Sequence, residues 1–259
     1  MKTGRLLNIT TASAVIAVAM ATAALAAEGM AYGGSAAPAP SNNMPRAGMT
    51  GTPKSTDVRK EIASPLKEAV DLGKKKDIPG ALAKVKEADA AATDKSPYED
   101  YVISNFLVNF EIQANDHPAA TAAANRALAT NSVPEKDLQP LLKTALTLNA
   151  EAKNYKNAIS AGEQLQQLNA LDYASGTNLA IAYYNSGSFP NALKTAKAAL
   201  ALETANGGKP IEPTLAILKN SQIKTGDMEG ARLTEIQLCD ISTAEPKAQC
   251  DLARKAKPK

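Results

Sequence analysis

The chain has 259 residues, 44% of them hydrophobic, a formal net charge of +3, and aromatics at only 4% with no Trp. That length allows one or two domains, and so even a charge balance argues against nucleic acid as a partner, which demands a basic face. Alanine supplies much of the apolar content, and an alanine-rich, aromatic-poor core favours closely packed helices over a β-sandwich.

The first residues read as an export leader. Lys2 and Arg5 form a short positive start, Ala12 to Leu25 is apolar and uncharged, and Ala24-Leu25-Ala26 offers a small-x-small cleavage pattern. Residues 1–27 are therefore expected to be a signal peptide cleaved after Ala26 or Ala27. A retained anchor would need about 20 apolar residues, more than this run supplies. No Cys adjoins the cleavage point, as a bacterial lipoprotein would require, and no later segment is long and apolar enough to span a membrane. Removal of the leader takes the 29 basic residues to 27, against 26 acidic ones. The expected location is periplasmic or secreted, with no integral membrane segment in the mature chain.

Residues 28–57 shift to Gly, Pro, Ala, Ser, Asn and Met, as in Tyr32-Gly33-Gly34-Ser35. Such a stretch buries too little apolar area to offset the ordering of its backbone and is predicted to be a disordered linker. Met30, Met44 and Met49 offer soft thioethers, but their irregular spacing and the lack of a neighbouring His argue against Cu(I) binding.

From Val58 the pattern becomes helical and repetitive, and residues 58–256 are predicted to form one repeat domain. Five segments superpose: Lys75-Lys76-Asp77-Ile78-Pro79-Gly80-Ala81, Ala114-Asn115-Asp116-His117-Pro118-Ala119-Ala120, Ala152-Lys153-Asn154-Tyr155-Lys156-Asn157-Ala158, Ser186-Gly187-Ser188-Phe189-Pro190-Asn191-Ala192 and Thr225-Gly226-Asp227-Met228-Glu229-Gly230-Ala231. The shared alanines 81, 120, 158, 192 and 231 lie 39, 38, 34 and 39 residues apart. Each segment reads as a corner between two helices. Its third residue is Asp, Asn or Ser, a good N-cap for the helix that follows. The fourth is usually bulky and is expected to pack back on the helix just ended. Pro follows in three copies, in the first turn where its missing N–H costs nothing. The small alanine lets the paired helices approach closely.

The flanks read as helices. Lys60 to Lys74 leads into the first corner, Pro97 to Ala114 into the second, Pro134 to Ala152 into the third, Tyr173 to Asn185 into the fourth and Ile211 to Lys224 into the fifth. Breaks fall at Asp94 to Pro97, Asn131 to Pro134 and Asn206 to Pro210. No window alternates as a strand would.

The fourth unit, Gly176-Thr177-Asn178-Leu179-Ala180-Ile181-Ala182-Tyr183-Tyr184-Asn185-Ser186-Gly187-Ser188-Phe189-Pro190-Asn191-Ala192-Leu193, resembles the tetratricopeptide repeat. Leu179, Ala180, Tyr183, Gly187, Phe189, Ala192 and Ala199 fall on its small and large positions. Ala69, Leu72, Ala81 and Ala88 echo them in the first unit, and Leu107, Ala120 and Ala127 in the second. The large aromatic that opens the family motif is replaced by Gly176, and its closing proline by Thr204. The chain is also similar to exported proteobacterial proteins that carry a short repeat array behind a signal peptide.

The resemblance implies an all-α fold: a right-handed α-α superhelix of about five helix pairs plus a C-terminal capping helix. It also implies a concave face lined by the first helix of each pair. Its register places Asn105, Asn109, Gln113, Lys143, Thr147, Glu151, Thr177, Tyr184, Asn220 and Lys224 there. Such an amide-rich surface suits an extended peptide or a helix. The basic and asparagine pattern by which some members grip a C-terminal carboxylate is not reproduced.

Motifs for chemistry are lacking. The single His117 occupies the bulky corner position and is expected to pack there; one histidine supports neither a Ser-His-Asp triad nor a zinc hydrolase. Gly207-Gly208-Lys209 lacks the flanking residues of a phosphate loop. No cofactor, metal or catalytic residue is assigned. Cys239 and Cys250 are spaced wrongly for a redox C-x-x-C and are too few for a structural zinc site. In an oxidising compartment they read as a disulfide joining the last repeat to a capping helix, the alternative being two partly buried free thiols. The expected function is a non-enzymatic periplasmic interaction or scaffold module that binds a protein or peptide on its concave face. The alternative is a self-associating structural component of cell-envelope assembly.

Overall fold

A computed structural model describes residues 57–241 and 247–256. The expected leader, the linker up to Thr56 and the three methionines within it lie outside these residues. The described residues contain eleven helices and no strand: α1 (Lys60–Lys74), α2 (Ile78–Ala90), α3 (Pro97–Gln113), α4 (His117–Ala129), α5 (Glu135–Glu151), α6 (Tyr155–Gln167), α7 (Tyr173–Asn185), α8 (Phe189–Ala205), α9 (Glu212–Thr225), α10 (Met228–Ile241) and α11 (Lys247–Lys255). Each odd-numbered helix from α1 to α9 packs on the even-numbered helix after it. Each second helix then meets the next first helix, and α1 with α3, α5 with α7, and α7 with α9 also touch. This is the stacking of helix pairs that the repeat implied.

One backbone device makes all five corners. The residue before the N-cap is left-handed in every copy: Lys76 at φ 62°, Asn115 at 60°, Lys153 at 59°, and Gly187 and Gly226 at 83°. The N–H of the N-cap residue then reaches back to close the outgoing helix: Asp77 to Leu72 O at 3.0 Å, Asp116 to Glu111 O at 2.9 Å, and Asn154, Ser188 and Asp227 to Asn149 O, Tyr183 O and Gln222 O at 2.8 Å. This is a Schellman closure. The carbonyl of that same residue opens the next helix by accepting from the shared alanine, at 2.9–3.1 Å in all five copies. Those alanines are 0% exposed at 81, 120, 158 and 192 and 5% at 231, which seats the pairs against one another.

Two corner expectations need correction. The side chains of Asp77, Asp116 and Asp227 do accept from Gly80 N, Ala119 N and Gly230 N at 2.9–3.0 Å. Asn154 and Ser188 make no such bond; the Ser188 hydroxyl instead accepts from Asn191 Nδ2 at 3.1 Å. Nor is the bulky position always packed. Ile78 and Tyr155 join the core, but Met228 is 63% exposed. His117 is exposed because its ring turns outward, and Nδ1 donates to Glu151 at 2.9 Å.

The core forms three apolar clusters along the stack: α1 to α3, α3 to α8, and α7 to α10. Where the resemblance expected a large aromatic, Gly176 packs so closely on α8 that a Cβ would stand 2.9 Å from Ala199 Cβ. No aromatic fits there.

Polar ties join successive pairs. Asn125 and Asn149 exchange amide hydrogen bonds of 3.1 and 2.8 Å between α4 and α5, with Asn149 fully buried. Arg126 on α4 bridges Asp89 of α2, at 2.7 Å, and Asp100 of α3. At the N-terminus, the buried Glu99 accepts from Arg59 Nε at 2.9 Å and from Ser96 N at 2.8 Å. Chiefly through that Arg59 bond, its carboxyl is pulled from 4.5 down to about 2.

The last pair is closed by α11. Cys239 and Cys250 are bonded, with a Cα separation of 5.8 Å. Around them Arg232 donates to Ala253 O at 2.9 Å and Gln249 Nε2 to Glu235 at 2.7 Å. Glu235, itself 5% exposed, also pairs with Lys219 of α9 at 2.5 Å. α11 thus occupies the place after α10 that each first helix occupies after the preceding pair.

Three outcomes follow from this architecture. In urea titrations, Gly226→Ala costs about 1 kcal/mol, because a side chain at positive φ is strained, whereas Lys153→Gly is neutral or stabilising by a few tenths of a kcal/mol. Arg59→Ala destabilises the fold near neutral pH, by leaving a buried carboxylate without its main donor. A depressed carboxylate contributes fully above its ordinary value, so the gap between wild type and variant closes as pH falls from 4.5 towards about 2. Reduction of the disulfide, which closes a loop of sequence separation 11, lowers stability by about 2–3 kcal/mol and loosens α11 first, as amide exchange will report.

Candidate functional site

The fixed corner sets the register of every first helix, so equivalent positions can be compared from repeat to repeat. Val70, Asn109, Thr147, Ile181 and Asn220 stand at one sequence distance before the shared alanine, and all five are half-buried. They occupy the equivalent position on α1, α3, α5, α7 and α9. Three of them were expected on the concave face. Val70 and Ile181 were not, because the sequence reading sought polar groups; the constant offset from the alanine would have found both.

The expected residues divide by what they touch. On α3, Asn109 Nδ2 donates to Asn105 O at 2.7 Å and Gln113 Nε2 to Asn109 O at 3.2 Å. Each amide is thus steadied against its own helix one turn back. On α5, Thr147 Oγ1 donates to Lys143 O at 3.1 Å and accepts from Asn178 Nδ2 of α7 at 3.1 Å. Asn178, unforeseen in the sequence, therefore belongs to the face. Asn220 is half-buried on α9.

Two of the three charged residues in the expected set have polar partners within the chain. Lys143 Nζ donates to Asp172 Oδ2 at 2.7 Å. Asp172 is also the N-cap of α7, accepting from Ser175 N at 2.8 Å. Glu151 accepts from His117. The third, Lys224, stands over the Phe189 ring at 5.5 Å from its centroid, and Phe189 packs on Tyr184 at 5.3 Å. The structure thus gathers Tyr184 and Lys224 at one corner around a ring that the sequence reading had given only a packing role.

Thr177 is a correction. It is 5% exposed, its hydroxyl donates to Tyr173 O at 2.9 Å, and it lies 2.8 Å from Thr214 Oγ1 of α9. Tyr173 OH in turn accepts from Ile211 N at 2.9 Å and Thr214 Oγ1 at 2.8 Å. Close approach of α7 and α9 turns this position inward, so Thr177 ties repeats together and offers no surface.

Among the described residues no group of three or more His, Cys, Asp or Glu is placed to hold a metal ion, and no helix is long and apolar enough to cross a membrane. Neither a comparison with protein-family models nor one with curated proteins finds a match to the sequence. Solved structures do match. YrrB, described as a TPR protein with an unusual peptide-binding site, aligns at a TM-score of 0.55 and 14% identity over 78% of this chain and 100% of its own. MamA from AMB-1 aligns at 0.54 and 14% over 76% and 98%. MamA from Desulfovibrio magneticus RS-1 aligns at 0.50 and 14% over 71% and 97%. Identity this low speaks to architecture, and with the five corners and stacked pairs it establishes that the chain has the tetratricopeptide-repeat fold.

Proposed function

We propose that the chain is a protein-interaction module that takes up an extended segment or helix of another protein along the open side of its first helices. The observation that carries this reading is the set Val70, Asn109, Thr147, Ile181 and Asn220. One position is half-buried in every repeat, and it combines apolar groups (Val70, Ile181) with hydrogen-bonding ones (Asn109, Thr147, Asn220) on rigid helices. Side-chain amides held against their own helix lose little freedom when a ligand arrives, which favours binding. The peptide site ascribed to YrrB lends support through the shared fold. The reading includes export, with residues 1–27 removed and action in the periplasm or outside the cell. The apolar leader and the Cys239–Cys250 bond support that part.

A second reading, self-association within an envelope assembly, draws on a different observation. Leu233, Ile241 and Leu252, at the C-terminal end of the stack, are 50%, 46% and 71% exposed. Cross-linking in cells followed by mass spectrometry separates the two. Under the groove reading, the full chain captures a distinct protein. Asn109→Arg combined with Asn220→Arg removes it while the melting curve stays within about 0.5 kcal/mol of wild type. Capture of the chain's own copies alone, unchanged by that double variant, would overturn the groove in favour of assembly.

A further inference from the structure

The corner between the fourth and fifth pairs differs from the rest of the face. Elsewhere the charged residues are spent on the chain itself: Lys143 on Asp172 and Glu151 on His117. Among the described residues no carboxylate pairs with Lys224; its ammonium rests on the face of Phe189, 5.5 Å from the ring centroid. A cation so placed keeps its charge and its N–H donors for an incoming acceptor, and its flexible stem is already fixed. Position in the last turn of α9 accounts for a favourable charge there, but it does not require a ring beneath it. Phe189 packs on Tyr184, which is half-buried and tilted at 60° to it; Ile181 stands one turn before Tyr184 and packs on the same apolar cluster, and Ile223, 47% exposed, precedes Lys224 in the chain. The corner therefore presents an apolar floor with one positive group at its edge.

Resting on the groove reading, we infer that Tyr184, Phe189 and Lys224 form the subsite that selects the partner. It accepts a carboxylate side chain together with an apolar side chain two residues away in an extended segment. Side chains two apart on such a segment share one face, about 6.5–7 Å from each other, so one can meet the cation held 5.5 Å from the Phe189 centroid while the other lies on the Tyr184 ring, 5.3 Å from that same centroid. The carboxylate meets Lys224 while its neighbour lies against Tyr184 and Ile181. The acceptor is a side chain, so a free peptide C-terminus is not required.

A displayed library of random peptides, selected on the full-length chain, tests this. The selected sequences are then made with amidated C-termini and titrated by fluorescence anisotropy. Enrichment of Asp or Glu two positions from Leu, Ile, Phe or Met supports the subsite, as does affinity that falls about tenfold in Lys224→Met and further in Lys224→Glu. Lys224→Met keeps an apolar stem over the ring and removes only the charge, so its loss of affinity reports the cation and not the fold. Selected peptides without acidic enrichment, or with equal affinity for Lys224→Glu, overturn the subsite. If those peptides are still lost on Asn109→Arg with Asn220→Arg, the groove reading stands without it. A library that yields no binding peptide overturns both.

Discussion

A single left-handed residue, followed by one that serves two helices, is the constraint on which the whole architecture rests. The N–H of the second residue ends one helix, its carbonyl begins the next, and its neighbour's positive φ turns the chain between them. Both sets of helix-end groups are satisfied without a long loop. The turn is the same in all five copies, so the shared alanine always arrives at the same depth in the pair. Everything laid out along the stack inherits that register.

The candidate face follows from it. Once pair geometry is fixed, one position of each first helix is equivalent in every repeat, and the five residues there share the same half-burial. Alanine at the pair interface brings the helices close but supplies little area per residue. Larger side chains and polar ties between repeats carry more of the cohesion: Asn125 with Asn149, Arg126 with two aspartates, Thr177 with Thr214. That division explains why some residues expected to meet a ligand are occupied internally. Lys143 and Thr177 join repeats, while Asn109, Asn220 and Lys224 remain available.

Much of this was legible in the sequence because the corner is built from local chemistry. Cap residues, a proline in the first turn and an alanine at fixed offset are read one residue at a time, and they located helix ends to within a few residues. The left-handed position was harder, since only Gly187, Gly226 and, more weakly, Asn115 announce it; Lys76 and Lys153 adopt a positive φ without a signal. The site was legible in part. Register along a helix put Asn109, Thr147 and Asn220 at one equivalent, half-buried position, but it could not show that α9 comes near enough to bury Thr177, or that His117 would turn to Glu151. Those depend on distances between repeats, which no single repeat encodes.

The last pair shows what the array needs at its end. Every earlier second helix is covered by the next repeat, a helix of 13 to 17 residues with several buried side chains. α11 has 9 residues and buries only Cys250 and Ala253. Two small side chains bury too little area to hold a short helix in place against its loss of conformational freedom. The bond to Cys239 limits that freedom before folding, and Gln249 donates to one oxygen of the buried Glu235 while Lys219 supplies its counter-charge. Covalent and ionic ties at this end do the work that a sixth repeat would do by burial, so the closing helix depends on an oxidising environment more than any other element of the stack.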